Sequence, residues 1–229
     1  MQYLELDNPQ LLNSDFFEAD AKWVAKKLLG KVIQVRHNNI WLMARIIETE
    51  AYYLDDKASH AWLGFTEKRK ALFMSAGTIY MYYARGGDSL NFSCEGEGNA
   101  VLIKSAYPLA ASKGKLEGIN VMLKNNPAAR GGRRELKTLC AGQTLLCKAL
   151  GLRVPEWDAK QLDPLRFRIA DDSYTPPKII QTSRLGISPD RDGQLPYRFI
   201  DMRFAKFCTK NPLSVRNWQN GVDYTILQP

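Results

Sequence analysis

The sequence predicts an α+β fold, a mixed domain built on a largely antiparallel sheet. Three observations predict it. Runs rich in β-branched and aromatic residues are separated by turn dipeptides, the mark of hairpins. Helical spacing is confined to separated segments near 20–29 and 136–150. No internal repeat and no Pro/Ser-rich linker divides the 229 residues, and a chain of this length buries enough surface for one sizeable core.

The elements follow in order. Over 20–29, Trp23, Val24, Lys27 and Leu28 fall at helical spacing and Gly30 supplies a left-handed stop. KVIQVR, the turn dipeptide Asn38-Asn39 and WLMARIIETEAYY read as a hairpin. A second, protruding hairpin is GTIYMYYA, a tip at Arg85-Gly86-Gly87-Asp88, and SLNFSC, the tip glycines allowing the positive φ of a tight reversal. AVLIKSAYPL is a further strand. Residues 136–150 read as a helix interrupted at Gly142 and capped by Gly151, and strand-like pieces follow Pro176-Pro177 around SRLGIS and LPYRFID. The expectation is a single domain over 1–229, with a curved sheet and flanking helices.

Composition narrows the function. No run approaches the ~20 apolar residues that span a bilayer, so no membrane segment is expected. The first ten residues carry two acids and no basic region ahead of an apolar stretch, so no secretory signal is read there. Cys94, Cys140, Cys147 and Cys208 form no disulfide framework; reduced thiols in cytosol or nucleus are expected. No zinc spacing is present, and neither metal nor cofactor is expected. Lys and Arg number 32 against 24 acids, a net charge of +8, and residues 103–137 alone hold a net +6. That stretch contains KNNPAARGGRR, a poor helix or strand, and reads as a long surface loop; the partner it implies is a polyanion.

The candidate chemistry begins in IIETEAYY. Period 2 puts Glu48, Glu50 and Tyr52 on one strand face, at the end of the apolar stripe Leu42, Ala44, Ile46. A carboxylate at the rim of an apolar face is partly desolvated, which raises its pKa and its basicity. Both acids could equally be salt-bridged surface groups. A glycosidase acid/base pair is disfavoured, since neighbours on one strand do not oppose each other across a substrate bond. His60 follows ten residues after Glu50, and a lone His is usually structural. Tyr52, Tyr53, Trp62, Tyr80, Tyr82 and Tyr83 crowd the same region. Core packing explains most such aromatics, yet Tyr80 and Tyr82 share a strand face, and enzymes that flip a nucleotide hold its base between rings.

Together, DFFEADAKWVAKKLLGKV, RIIETEAY, His60, LFMSAGTIYMY, Asn91 in LNFS, GEGNAVLIKSAYPL, LCAGQTLLCKALGL, SRLGIS and LPYRF resemble, in that order over roughly 10–217, the alkyladenine (3-methyladenine) DNA glycosylases of bacteria and mammals. The resemblance implies a monofunctional, metal-free enzyme that flips damaged purines out of duplex DNA and hydrolyses their N-glycosidic bond. The DNA carrying the damaged purine is the expected partner, the protein a monomer, and the location cytoplasmic (at a nucleoid) or nuclear. By the same resemblance Glu50 falls on the general base, Tyr52 on one wall of the base pocket and His60 with Tyr82 on the other. Asn91 falls on an amide that turns away the exocyclic amine of normal guanine. Two departures stand out. Lys104 replaces the Arg that helps hold the nucleophilic water, and charge is kept while the planar fork is lost. The hairpin tip is one residue shorter and lacks the usual Tyr wedge, leaving Tyr83 and Arg85 as candidates for it. Arg130, Arg133 and Arg134 are the expected phosphate contacts. A catalytically weakened DNA-binding module on the same scaffold is the alternative.

Overall fold

The structure, a computed structural model, describes residues 9–84, 86–111 and 116–228. The chain enters with a short strand, β1 (Gln10–Leu11). Helix α1 (Ala21–Leu28) starts where the Asp20 carboxylate accepts from the backbone N–H groups of Lys22 and Trp23, pairing donors that a first helical turn leaves open. Its buried stripe is Ala21, Val24, Ala25 and Leu28. Gly30 then takes φ +92° and donates its N–H to the Ile46 carbonyl. A methyl group there would lie 2.8 Å from both the carbonyl oxygen and the ring of Tyr174. Gly30→Ala is therefore expected to destabilise the protein by about 2–4 kcal/mol, combining left-handed strain with overpacking; a lower urea midpoint at unchanged m value would show it.

The first hairpin is β2 (Val32–His37) and β3 (Ile40–Tyr52), turning at Asn38 with φ 53°. The second is β4 (Ile79–Ala84) and β5 (Gly87–Ser93). Ala84 pairs with Gly87 and Tyr83 with Asp88, so Gly87 and Asp88, read from sequence as part of the tip, belong to the strand. β6 (Ala100–Leu109) follows, then α2 (Glu117–Asn125), α3 (Gln143–Leu150) and α4 (Val154–Trp157). The last strands are β7 (Phe167–Asp171), β8 (Ile179–Thr182), β9 (Arg198–Asp201) and β10 (Tyr224–Leu227). Among the described residues these strands pair antiparallel, in the order β1-β7-β2-β3-β6-β5-β4, with β9, β8 and β10 added along the far end of β3. The expected α+β architecture is the one observed.

Two readings change. Residues 103–137 are not one loop: β6 runs to Leu109 and α2 covers Glu117–Asn125. Burial of Ile119, Met122 and Leu123 makes α2 an amphipathic helix, and the cations had masked that stripe. SRLGIS forms no strand; it is a turn-containing loop with Gly186 at φ 78°.

One irregularity positions everything that follows. Between β3 and β6 the register steps from Ile46↔Ala106 to Glu48↔Ser105 to Thr49↔Ile103. Ile47 is thus an extra residue on β3, and Lys104 an extra residue on β6. Such bulges re-aim side chains. Leu42, Ala44 and Ile46 face the main core, but beyond the bulge the core side is taken by Thr49, whose hydroxyl donates to the Ala25 carbonyl of α1 at 2.7 Å, and by Ala51. Glu48, Glu50 and Tyr52 therefore do not continue the Leu42–Ile46 stripe, as simple alternation predicted; they face the other way.

Candidate active site

The two carboxylates have different surroundings. Glu48 is fully buried and accepts from Arg198 Nε at 2.7 Å, Thr209 Oγ1 at 2.7 Å, Thr209 N–H at 3.1 Å and Ser105 Oγ at 2.5 Å. Its lone pairs are taken, and its ion pair with Arg198 is buried rather than on the surface. Glu50, also fully buried, shares one oxygen, Oε2, between the Tyr52 hydroxyl at 2.8 Å and Lys104 Nζ at 3.3 Å. Its Oε1 accepts a long 3.4 Å bond from the Leu185 N–H.

Burial by itself would raise the proton affinity of Glu50. The ammonium of Lys104 and the guanidinium of Arg198, with the Tyr52 and Leu185 hydrogen bonds, outweigh it and hold the carboxyl below the ordinary glutamate value. The sequence expectation of a raised pKa is thus reversed, because burial arrived together with two cations. Burial and the neighbouring Glu50 charge push the Tyr52 phenol well above its ordinary value, so it stays protonated and donates.

In front of Tyr52 lies a cavity of about 220 Å³ lined by Tyr52, His60, Tyr80, Tyr82 and Asn91 among others. A larger cleft of about 690 Å³ opens by the second hairpin, but the smaller one carries the aromatic walls, and its Tyr52 hydroxyl donates to Glu50. His60 packs against Tyr82 with ring centroids 4.4 Å apart, and Tyr80 stacks on Tyr82 at 5.5 Å. His60 Nδ1 and the Tyr80 hydroxyl share a 2.8 Å hydrogen bond. Burial, then the charges of Arg69 and Arg191, lowers the His60 pKa, so the imidazole is neutral at neutral pH. Asn91 donates one amide N–H to the Tyr80 carbonyl at 3.1 Å, which leaves its second N–H and its carboxamide oxygen to offer a ligand.

The sequence-predicted residues separate into two groups. Glu50, Lys104, Tyr52, His60, Tyr82 and Asn91 come together at or behind this cavity. Tyr83 stands 71% exposed at the end of β4. Arg133 is exposed on the loop after α2, while Arg134 turns inward to the carbonyls of Asn126 and Pro127 at 3.2 and 2.9 Å and braces that loop. Arg85 and the side chain of Arg130 lie outside the described residues.

Other contributors carried no sequence role. The SRLGIS loop brings the Leu185 N–H to Glu50 and sets Gly186 and Ile187 on the cavity wall. Arg184, paired with buried Asp56, lays its guanidinium 4.7 Å from the Tyr52 ring centre. Gln143, at the start of α3, donates to Ser89 Oγ at 2.9 Å and to the Tyr82 hydroxyl at 3.4 Å. The signal available was the SRLGIS block itself, with a glycine in a loop near the end of the chain. Among the described residues no cluster of three His, Cys, Asp or Glu is placed to hold a metal ion, and no helix is long and apolar enough to cross a membrane.

A family model described as methylpurine-DNA glycosylase matches residues 15–203. A protein of Pseudomonas syringae pv. tomato is 58% identical over 219 residues, 96% of this chain and 98% of its own. One of Pseudomonas aeruginosa (strain LESB58) is 58% identical over 216 residues, 94% of this chain and 90% of its own. A more distant relative from Francisella tularensis subsp. tularensis is 33% identical over 181 residues, 76% and 86% of the two chains. All three bear the name "Putative 3-methyladenine DNA glycosylase".

Proposed function

The chain belongs to the methylpurine-DNA glycosylase family, and on that premise we propose that it removes alkylated or deaminated purines from duplex DNA by hydrolysis, in base excision repair. The observation that carries the proposal is a carboxylate held ionised by Lys104 and Arg198 and hydrogen-bonded to Tyr52 in the wall of an aromatic cavity. At about 220 Å³ the cavity is smaller than the roughly 300–1,000 Å³ of drug-sized sites, a scale suited to one flipped base. Its Tyr52 and Tyr82 faces attract a cationic purine by cation–π interaction, roughly 0.5–2 kcal/mol. Neutral His60 adds no repulsion.

In the reaction, the flipped nucleotide places its C1′ near Glu50. Glu50 takes a proton from water through its less committed oxygen, the water's oxygen bonds to C1′, and the bond from C1′ to the purine nitrogen breaks with its electrons leaving on the base. A purine alkylated at ring N3 or N7 already carries the positive charge that makes it a good leaving group, and a neutral deaminated purine takes a proton from solvent water as it leaves. Lys104 keeps Glu50 ionised and is a positioning group rather than a nucleophile, so no strand cleavage accompanies release. Tyr83, Arg85, Arg130 and Arg133 are proposed to contact the duplex, and the protein to act as a monomer. Arg134 is proposed to serve by shaping that loop.

The test is release of free base from methylated duplex DNA, measured across pH against an enzyme-free control. Because the Glu50 pKa is lowered, the carboxylate form persists as pH falls, and kcat/KM should stay level from pH 7 to 5 with its acidic limb below the ordinary glutamate value. A fall in rate between pH 7 and 5 contradicts the assignment. Absence of any release leaves the alternative, a DNA-binding module that has lost turnover through the Lys104 exchange.

A further inference from the structure

Trp62, Leu63 and Phe65 stand 49%, 67% and 60% exposed within four successive residues. The chain leaves the cavity wall at His60, makes a 310 turn over Ala61–Leu63 and reverses at Gly64 with φ 74°. The turn is braced. Ala61 is fully buried in the same apolar cluster as Leu72 and Tyr80, and Arg69 donates to the Gly64 carbonyl at 2.7 Å. Phe65 rests against Phe73, ring centroids 5.6 Å apart. Leu54, 40% exposed, flanks the base of the turn: a Cβ built on Gly98 would touch both it and Ala61 at 2.8 Å.

Three large apolar side chains left in water forgo the burial each would gain in a core, and exposure of this kind on neighbouring residues marks a contact surface. Its surroundings identify the partner. Over 55–70, Lys57, Lys68, Arg69 and Lys70 stand against Asp55, Asp56 and Glu67; Asp56 is paired with Arg184 and Glu67 with Lys70, which leaves Lys57 and Lys68 as cations for phosphates. The turn is continuous with a cavity wall read as receiving a flipped base. A duplex missing one base from its stack uncovers the faces of the neighbouring and opposite bases, and apolar or aromatic side chains fill such gaps. An intact duplex offers no such faces.

We propose that the 61–65 turn is a second DNA-contacting element that lays Trp62 and Phe65 against base faces uncovered when the damaged nucleotide leaves the stack. The proposal rests on the glycosylase reading.

Affinities of the wild type, Trp62→Ala, Trp62→Phe and Trp218→Ala for an undamaged duplex and for the same duplex carrying a stable abasic-site analogue test it. Trp62→Ala should weaken binding to the abasic duplex about tenfold, the scale of losing one base–aromatic stack. Its affinity for the undamaged duplex and its thermal stability should be unchanged. The salt slope should also stay the same, since stacking releases no counterions. Trp62→Phe should recover most of the loss, and Trp218→Ala should show none. Equal weakening on both duplexes overturns the proposal, as does unchanged binding to both, which would assign the patch to a protein partner or second copy. A wild type that prefers the abasic duplex and releases base while Trp62→Ala keeps that preference overturns this proposal alone. A wild type with neither preference nor release overturns the glycosylase reading with it.

Discussion

Replacing Glu50 with glutamine is expected to slow base release by about 10²–10⁴-fold, the usual contribution of a positioned general base, while affinity for abasic duplex stays within a few fold. Glutamine keeps the shape and can still accept from Tyr52 and Lys104, so the cavity wall is preserved. What it loses is the capacity to take a proton from water. The substitution also leaves the Lys104 ammonium, whose side chain is 10% exposed, without a counter-charge. Breaking a buried pair costs about 3–5 kcal/mol, lessened here by the hydrogen bond that the glutamine oxygen retains. Adding Lys104→Met should therefore return stability and leave activity absent. Single-turnover excision with parallel melting curves separates the two effects. Release within tenfold of wild type would remove Glu50 from the chemistry.

Arg198→Met should give the largest loss of stability. Arg198 is 1% exposed, with Nε on Glu48 and Nη2 on Thr209 Oγ1 and the Lys210 carbonyl at 3.0 and 2.8 Å. Without it, Glu48 is a fully buried carboxylate with no cation. The cost is about 3–5 kcal/mol, or roughly 6–20 °C in Tm for a chain of this size. A second effect follows from the same charge. Arg198 also helps lower the Glu50 pKa, so its removal should move the acidic limb of the pH–rate profile upward. A melting shift below about 3 °C, or a limb that does not move, would contradict this account.

The two effects show why the candidate site was partly legible. Tyr52, His60, Tyr82 and Asn91 lie on strands or a turn whose boundaries are local, and their spacing survives folding. Period-2 alternation could not see the paired bulges at Ile47 and Lys104, since an extra residue on each strand leaves no mark in hydrophobic pattern. Strands β7, β8 and β10 were missed for a related reason: they are four or five residues long and take most of their partners from distant parts of the chain.

By itself, the sequence determined the α+β class, α1, both hairpins, the strand bearing Lys104, and a shortlist of polar and aromatic residues in one neighbourhood. Caps, turn dipeptides and strand composition are local, so they can be read in order. Tertiary structure alone decided which carboxylate is spent and which remains available. Glu48 meets Arg198 from 150 residues away, and Glu50 meets the Leu185 N–H from 135. It also decided the sign of the Glu50 shift. Proton affinity depends on the difference between lost hydration and the charges brought alongside, and both terms exist only once distant segments have packed together.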